Sequence, residues 1–133
     1  MDSAVIAHNN ILPYHNHEIN HSHILQTLNV NQSFKLNISL ENISLISLSA
    51  KDNIEYTANI FIEYVPNNLL LEIFSIKDYI EAFKNSSTYL EQVIDIIYKD
   101  IQKTIKPNTL KVILKRDCKA GFPVTLTINS NDQ

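Results

Sequence analysis

Hydrophobic and polar residues alternate along two stretches in the first half of the chain, and this alternation predicts two β-strands. The first stretch begins at Phe34, and the second is Thr57–Val65. Side chains of a strand point alternately to its two faces, so each stretch predicts a strand that is buried on one side. The apolar positions are Leu36, Ile38 and Leu40 in the first stretch, which Ile43–Leu48 continues or bends, and Ala58, Ile60, Ile62 and Tyr64 in the second.

Apolar residues then recur at the spacing of a short α-helix. The turn Pro66-Asn67-Asn68 precedes an apolar run at Leu69–Phe74. Ser75, with Asp78 three residues later, predicts the N-terminus of the helix, and Asn85-Ser86-Ser87 predicts its end. Its predicted buried face consists of Ile76, Tyr79, Ile80 and Phe83.

A longer helix is predicted next. Thr88 and Glu91 have the spacing of a capping box at a helix N-terminus, and Pro107 requires the helix to end before it. Apolar residues three and four apart form one stripe between these limits. The stripe consists of Leu90, Val93, Ile94, Ile97, Ile101 and Ile105.

Two more alternating stretches close the chain around a predicted turn at residues 118–121. Their alternating apolar residues are Leu110, Val112 and Leu114 in one, and Val124, Leu126 and Ile128 in the other. The order strand-strand-helix-helix-strand-strand predicts an α+β fold, with two helices on one face of an antiparallel four-stranded sheet. The other face must be solvated or covered by another copy, so we expect an oligomer.

Residues 1–33 differ from the rest of the chain, since all five histidines lie there among asparagines and no helix or strand period is visible. We interpret them as an N-terminal arm, and residues 34–133 as one folded domain. His15 and His17, and likewise His21 and His23, have a spacing that chelates a metal when extended, but no cysteine is nearby. We therefore predict no metal site.

Composition excludes several classes of function. The net charge is −3, and Arg116 is the single arginine, so the charge does not support binding of nucleic acid through phosphates. Binding of tRNA stays open but is not supported by the charge. One glycine, Gly121, excludes glycine-rich phosphate loops, and one cysteine, Cys118, excludes an intrachain disulfide. The chain has no apolar run long enough for a membrane span and no basic leader, so we expect no membrane contact and a cytoplasmic location.

Several segments resemble the QueF nitrile reductases. Leu45–Pro66 (LISLSAKDNIEYTANIFIEYVP) is similar to the family's F-x-S-L-C-P-x-T-G-x-P-D-F and the strand after it, and Leu71–Asn85 (LEIFSIKDYIEAFKN) is similar to E-S-K-S-L-K-x-Y-x-x-S-F-R-N. Tyr89-Leu90-Glu91 occupies the place of F-H-E, and Lys119-Ala120-Gly121 that of R-G-G. The resemblance covers Leu45–Ile128 and implies the tunnelling fold (T-fold) for the domain of residues 34–133.

The resemblance also implies a chemistry, which is reduction of the nitrile of 7-cyano-7-deazaguanine with NADPH on the route to queuosine in tRNA. Archaeal relatives amidinate the same nitrile to form archaeosine. Both reactions start from a cysteine thiolate, assisted by an aspartate. This chain has Ser49 at the cysteine position and Tyr56 at the aspartate position, with Glu55 beside it and Asp52 on the same loop as candidate substitutes. A serine hydroxyl needs an adjacent base to become a nucleophile.

The resemblance assigns further residues to the ligand and the cofactor. Glu91 corresponds to the glutamate that pairs with the purine-like base, and Glu72 and Ser75 fall in the ligand-binding segment. Lys84 and Lys119 replace the arginines that hold NADPH, and a lysine is a point charge without the planar fork of arginine. We therefore expect no cofactor, with NADPH needed only if reduction is retained.

Three functions stay open from the sequence. The protein is an enzyme of the 7-deazaguanine route, or a binding module for a purine-like small molecule, or a catalytically silent subunit. Glu91 is the ligand anchor in the first two readings, and only the capping-box acid of its helix in the third. The expected partners are the purine-like ligand and either further copies of this chain or a cysteine-containing paralogue in a hetero-oligomer.

Overall fold

A computed structural model describes residues 19–31, 34–117 and 121–133. Two α-helices, three short 3₁₀ turns and seven strands follow one another in these residues. The strands are β1 (Thr27–Asn29), β2 (Ile38–Ser49), β3 (Glu55–Val65), β4 (Leu69–Leu71), β5 (Ser87–Thr88), β6 (Thr109–Asp117) and β7 (Pro123–Asn129). The helices are α1 (Ile73–Glu81) and α2 (Leu90–Ile105), and the 3₁₀ turns are Ser22–Ile24, Ala82–Asn85 and Ser130–Asp132.

The main sheet has the strand order β5-β2-β3-β6-β7. Its four long strands, β2, β3, β6 and β7, pair in antiparallel fashion as predicted. The prediction of a purely antiparallel four-stranded sheet is wrong at one edge, where β5 adds a fifth strand parallel to β2. Strands β1 and β4 form a separate two-stranded sheet. These short strands have only two or three residues, too few to show a period of two.

One face of the main sheet is buried against both helices, and the predicted alternation is confirmed there. Ala58, Ile60, Ile62 and Tyr64 of β3 are buried, as are alternate residues of β6. In β2 the pairing shifts between Leu40 and Ile43. Asn42 has a positive φ of 56° within this bulge, which asparagine adopts more readily than most residues. The bulge keeps apolar residues on the buried face on both of its sides.

The predicted apolar faces of both helices are confirmed, because their residues are buried apart from the half-buried Leu90. Helix α2 ends at Ile105, and the next residue, Lys106, adopts the left-handed conformation before Pro107. Both predicted helix starts are wrong. Helix α1 is capped by Glu72 rather than Ser75, and α2 by Tyr89 with Gln92 rather than by Thr88 with Glu91.

The described part of the predicted arm packs against the helices. Leu25 is buried in the core, and the His21 ring contacts the rings of Tyr79 and Phe83 at centroid distances of 4.7 and 4.6 Å. Strand β1 pairs with β4 and holds this segment close to the start of α1. Residues 1–18 lie outside the described residues, and the boundary at residue 34 stays a prediction. Neither described helix has the length and apolar character that a membrane crossing requires.

Candidate functional site

Three hydroxyl side chains meet where β2, β3 and β5 come together, and we call Ser47, Tyr56 and Thr88 the hydroxyl cluster. Ser47 lies opposite Tyr56 in the β2–β3 pairing, and Ser49 lies beside Thr88 in the β2–β5 pairing. Thr88 Oγ1 is 2.9 Å from Ser47 Oγ and 3.1 Å from the Tyr56 hydroxyl oxygen. All three side chains are buried.

The direction of each hydrogen bond in the hydroxyl cluster follows from counting protons. Ser47 donates its single proton to the carbonyl oxygen of Ser86 at 2.8 Å. Thr88 must therefore donate to Ser47, and Tyr56 must donate to Thr88, because each hydroxyl has one proton. A ligand at this end of the sheet can donate to the Tyr56 oxygen but cannot receive its proton.

Tyr56 is held from two sides. Its hydroxyl is fixed by Thr88, and the Arg116 guanidinium carbon lies 4.3 Å from the centroid of its ring, in a cation–π arrangement. Burial raises the pKa of the Tyr56 hydroxyl above its ordinary value, although the hydrogen bonds and Arg116 act in the opposite direction. The phenol is therefore neutral near pH 7 and cannot serve as a general base.

Ser49, which the sequence resemblance aligns with the family's nucleophile, lies at the end of β2 on the same face as Ser47. Its Oγ accepts the backbone N–H of Lys51 at 3.3 Å. Within the described ranges, no side chain that can accept its proton is hydrogen-bonded to it. Glu55 pairs with Leu48 across β2 and β3, so its exposed side chain points to the opposite face. The structure thus brings Ser49 and Tyr56 to one region and leaves Glu55 outside it.

Glu91 lies in the first turn of α2, three residues after Thr88 of the hydroxyl cluster, and its side chain is exposed. The neighbouring Gln92 fills the acceptor role at this helix end, because its Oε1 accepts the backbone N–H of Tyr89 at 2.9 Å. In the part of the chain that the structure describes, the Glu91 carboxylate has no hydrogen-bond or ion-pair partner. It is thus free to accept N–H groups from a ligand.

Glu72 and Ser75 are engaged at the start of α1. The Glu72 carboxylate accepts the backbone N–H groups of Phe74 and Ser75 at 2.7 and 2.9 Å. The buried Ser75 hydroxyl donates to the Glu72 carbonyl and accepts the backbone N–H of Gln26. These contacts give both side chains a structural role at the positions where the sequence predicts ligand contacts.

Comparison with known proteins identifies the family. A family model described as QueF-like protein matches residues 56–133, which is more than half of the chain. The chain belongs to the QueF-like family. It is also 30% identical over 90 residues to the NADPH-dependent 7-cyano-7-deazaguanine reductase of Chloroherpeton thalassium, an alignment that covers 68% of this chain and 78% of the reductase.

Two solved structures share the fold of this QueF-like protein. The archaeosine synthase QueF-Like in its apo form superposes with a TM-score of 0.66 at 15% identity, over 75% of this chain and 96% of that one. A putative dihydroneopterin aldolase (FolB) from Vibrio cholerae superposes with a TM-score of 0.56 at 13% identity, over 71% and 95% of the two chains. At these identities the likeness concerns the fold alone.

The structure describes one of the two lysines that the resemblance assigns to NADPH. Lys84 is exposed on the 3₁₀ turn after α1, and Lys119 lies outside the described residues, as does Cys118. Glu72 and Ser75 belong to the segment that the resemblance assigns to ligand binding. Both side chains already form hydrogen bonds with backbone groups of the protein. Among the described residues, no three His, Cys, Asp or Glu side chains are grouped in a way that would hold a metal ion.

Three residues at the site were not predicted from the sequence: Ser47, Thr88 in its hydroxyl cluster, and Arg116. Ser47 carried a usable signal, since it follows Ile43 and Leu45 on the buried face of β2, where a hydroxyl needs a partner. Arg116 continues the buried face of β6 after Leu114, so its strand position placed it near the helices. Thr88 gave no such signal, because its spacing to Glu91 indicated a cap.

Proposed function

We propose that this QueF-like protein recognises 7-cyano-7-deazaguanine or a related purine-like base through Glu91, and that it does not reduce the nitrile with NADPH. The observation that carries the proposal is the free carboxylate of Glu91. The helix-capping role that competes with ligand binding belongs to Gln92. An exposed acid beside a buried, ordered hydroxyl cluster is then available for recognition.

The chemistry of a carboxylate suits the edge of a guanine-like ring. An ionised carboxylate only accepts hydrogen bonds, and its two oxygens match adjacent ring N–H and amino groups. Glu91 lies in the first turn of α2, where the N-terminal end of the helix dipole favours a negative charge. The tunnelling fold that we infer for the domain would place the N-terminal end of α2, and with it Glu91, at a boundary between subunits.

The surroundings of Ser49 support the proposed absence of a covalent step. A serine attacks a nitrile carbon only if a base accepts its proton. The Tyr56 hydroxyl donates to Thr88 and has a raised pKa, so it remains protonated near neutral pH. Glu55 points to the other face of the sheet. Recognition without turnover is the function that this arrangement supports.

A silent subunit is the second candidate, and the open face of the sheet favours it. A groove of about 670 Å³ runs over this face and contains the apolar side chains of Phe61 and Ile113 among Glu63 and Lys111. Glu63 and Lys111 lie opposite each other in the pairing of β3 with β6. A second copy or a cysteine-containing paralogue would cover this face and complete the site.

Calorimetry tests the first proposal. The full chain, in the assembly state that light scattering records, is titrated with 7-cyano-7-deazaguanine, guanine and the aminomethyl product. We expect binding to the wild type and a loss of about 1.5–3 kcal/mol, or roughly ten- to a hundredfold in affinity, in Glu91→Gln. Glutamine presents an N–H donor where the ligand needs an acceptor. Glu81→Gln, the same change at an exposed acid of α1, is the matched control.

Calorimetry on the wild type distinguishes ligand recognition through Glu91 from the silent-subunit function. If the assembled wild type binds none of the three compounds, recognition through Glu91 is wrong and the silent subunit is favoured. If binding occurs and is equal in Glu91→Gln, the protein binds a base but not through this residue. Cofactor oxidation that depends on both NADPH and the nitrile, and is lost in Ser49→Ala, would contradict the absence of turnover.

A further inference from the structure

Arg116 is the single arginine of the chain, and it lies at the hydroxyl cluster. It continues the buried face of β6, with Leu110, Val112 and Leu114 before it, and its side chain is half-buried. Stacking on the Tyr56 ring holds the guanidinium in one plane, and Tyr56 itself is fixed through Thr88. Arg116 is therefore an oriented cation, which distinguishes it from the exposed Lys115 of the same strand.

Within the described residues, the hydrogen-bonding groups of this guanidinium are unused. Among the residues that the structure describes, no carboxylate or carbonyl accepts its N–H groups, and its one recorded contact is with the face of the Tyr56 ring. A cation–π contact uses the plane of the guanidinium and leaves its N–H edge available. Five donors in a fixed fork thus lack acceptors beside the candidate site.

Glu91 and Arg116 flank the same hydroxyl cluster. Arg116 stacks on the Tyr56 ring, and Glu91 lies in the first turn of α2, three residues after Thr88, which accepts the Tyr56 proton. The two opposite charges do not form an ion pair with each other within the described ranges. A ligand with both N–H donors and an anionic group could bind the carboxylate of Glu91 and the guanidinium of Arg116 at the same time.

We propose that Arg116 determines the specificity of this site by binding an anionic oxygen group of the ligand whose N–H groups pair with Glu91. This inference rests on the proposed function. The ligand class is a guanine-like base that carries either a carboxylate on its five-membered ring or a phosphate on an attached ribose. Both groups match the planar fork of arginine through two parallel N–H···O bonds. The neutral, linear nitrile offers no such pair of oxygens.

Calorimetry with four probes on the full chain tests the proposal. The neutral probes are 7-cyano-7-deazaguanine and guanine, and the anionic probes are 7-carboxy-7-deazaguanine and guanosine 5′-monophosphate. We expect at least one anionic probe to bind the wild type about tenfold tighter than its neutral counterpart, with the preference falling as salt increases. The carboxylate and the phosphate arms distinguish the two sources of the charge.

Variants assign the preference to Arg116. Arg116→Gln should remove the preference for the anionic probe over its neutral counterpart. Arg116→Lys should keep part of it, because lysine retains the charge without the fork. Lys115→Gln, which removes a charge from the exposed side of the same strand, is the control and should keep the preference.

The outcomes separate this inference from the function on which it rests. Equal binding of neutral and anionic probes by the wild type overturns the role of Arg116 and leaves recognition through Glu91 intact. A preference that survives in Arg116→Gln also overturns it. Binding of none of the probes by the wild type overturns both proposals. The comparison of probes on the wild type needs no variant, so it decides even where Arg116→Gln fails to fold.

Discussion

The two helices each begin beside a glutamate, and the two glutamates are used in opposite ways. Glu72 immediately precedes α1, and its carboxylate accepts two backbone N–H groups of the first turn. Glu91 lies inside the first turn of α2, where Gln92 accepts the capping N–H group instead. The same residue type in similar local sequence therefore stabilises the fold at one helix and has no partner among the described residues at the other.

The difference depends on a shift of two residues in helix register. At the N-cap position a side-chain oxygen can reach the free N–H groups of the first turn, whereas a side chain one or two positions further on points outward. Glu72 occupies the N-cap of α1, and Glu91 is the second residue of α2 after the N-cap Tyr89. Retention of an acid in a family motif is thus no indication of its role until the register of the helix is known.

The largest expected effect on stability is that of Glu72→Ala. Removing the N-cap acceptor of α1 should lower the free energy of unfolding by about 1–2 kcal/mol, because two backbone N–H groups lose their partner. Glu91→Ala should cost only about 0.3 kcal/mol, the interaction of an exposed acid with the helix dipole. For a domain of this size, about 1 kcal/mol corresponds to roughly 3–6 °C in melting temperature.

Thermal and urea unfolding of the two variants measures this difference. Glu81→Ala, at an exposed position of α1, controls for the loss of a carboxylate and should unfold like the wild type. Equal destabilisation by Glu72→Ala and Glu91→Ala would mean that both acids are structural, and it would remove the basis for ligand recognition by Glu91.

The fold could be predicted from the sequence where the period of apolar residues is long. Helix α2 repeats apolar residues at helical spacing from Val93 to Ile105, and all five of these positions are buried. The long strands alternate over five or more residues. The short strand β5 has no period to detect, and its place beside β2 depends on backbone hydrogen bonds such as that from Ala50 N–H to the Thr88 carbonyl.

The helix starts could not be predicted because two registers satisfy the same rule. Thr88 with Glu91, and Tyr89 with Gln92, both have the three-residue spacing of a capping box. Threonine is the better cap by preference, but its hydroxyl bonds to Tyr56 and Ser47, which are 32 and 41 residues away in sequence. A tertiary contact therefore decides the register, and with it the freedom of Glu91.

A smaller effect is expected from Gln92, which tests this register. Gln92→Ala removes the acceptor of the Tyr89 N–H group and should lower the free energy of unfolding by about 0.5–1 kcal/mol. Gln92→Glu keeps an acceptor at the same atom position and should restore the stability. Unfolding in urea, with both variants compared in parallel, measures the loss and the rescue.

The same pair of variants tests whether the Glu91 carboxylate is independent of the cap of α2. If Gln92→Ala leaves stability unchanged, Glu91 has taken over the cap, and its carboxylate is not independent of the helix. In that case ligand binding should weaken in Gln92→Ala as well. Stability lost with binding retained would support the separation of the two roles.

The smallest expected effect is a pH dependence of the stability, caused by His21, which packs against α1. No such dependence is expected from the N-terminal end of α2. Burial lowers the pKa of His21 below its ordinary value of 6.5, against the opposing effect of Asp100 and with a smaller contribution from His23. The unfolded chain then takes up a proton at higher pH than the folded chain. Stability should therefore be complete above pH 6.5 and fall as the pH decreases below it, until the folded His21 is also protonated.

The cause of this loss is the position of His21 between two rings. A charged imidazole that contacts Tyr79 and Phe83 loses hydration, and its buried Nε2 has no hydrogen-bond partner among the described residues. His21→Phe should remove the decline and keep the ring contacts, while the exposed His23→Phe should keep most of it. Melting temperatures between pH 8 and pH 5 measure the effect.

If the decline persists in His21→Phe, other groups cause it and the segment before β1 is not a site of pH dependence. Retention of ligand binding at Glu91 across the same range, with only the stability of the fold changing, would show that α1 and the N-terminal end of α2 respond independently.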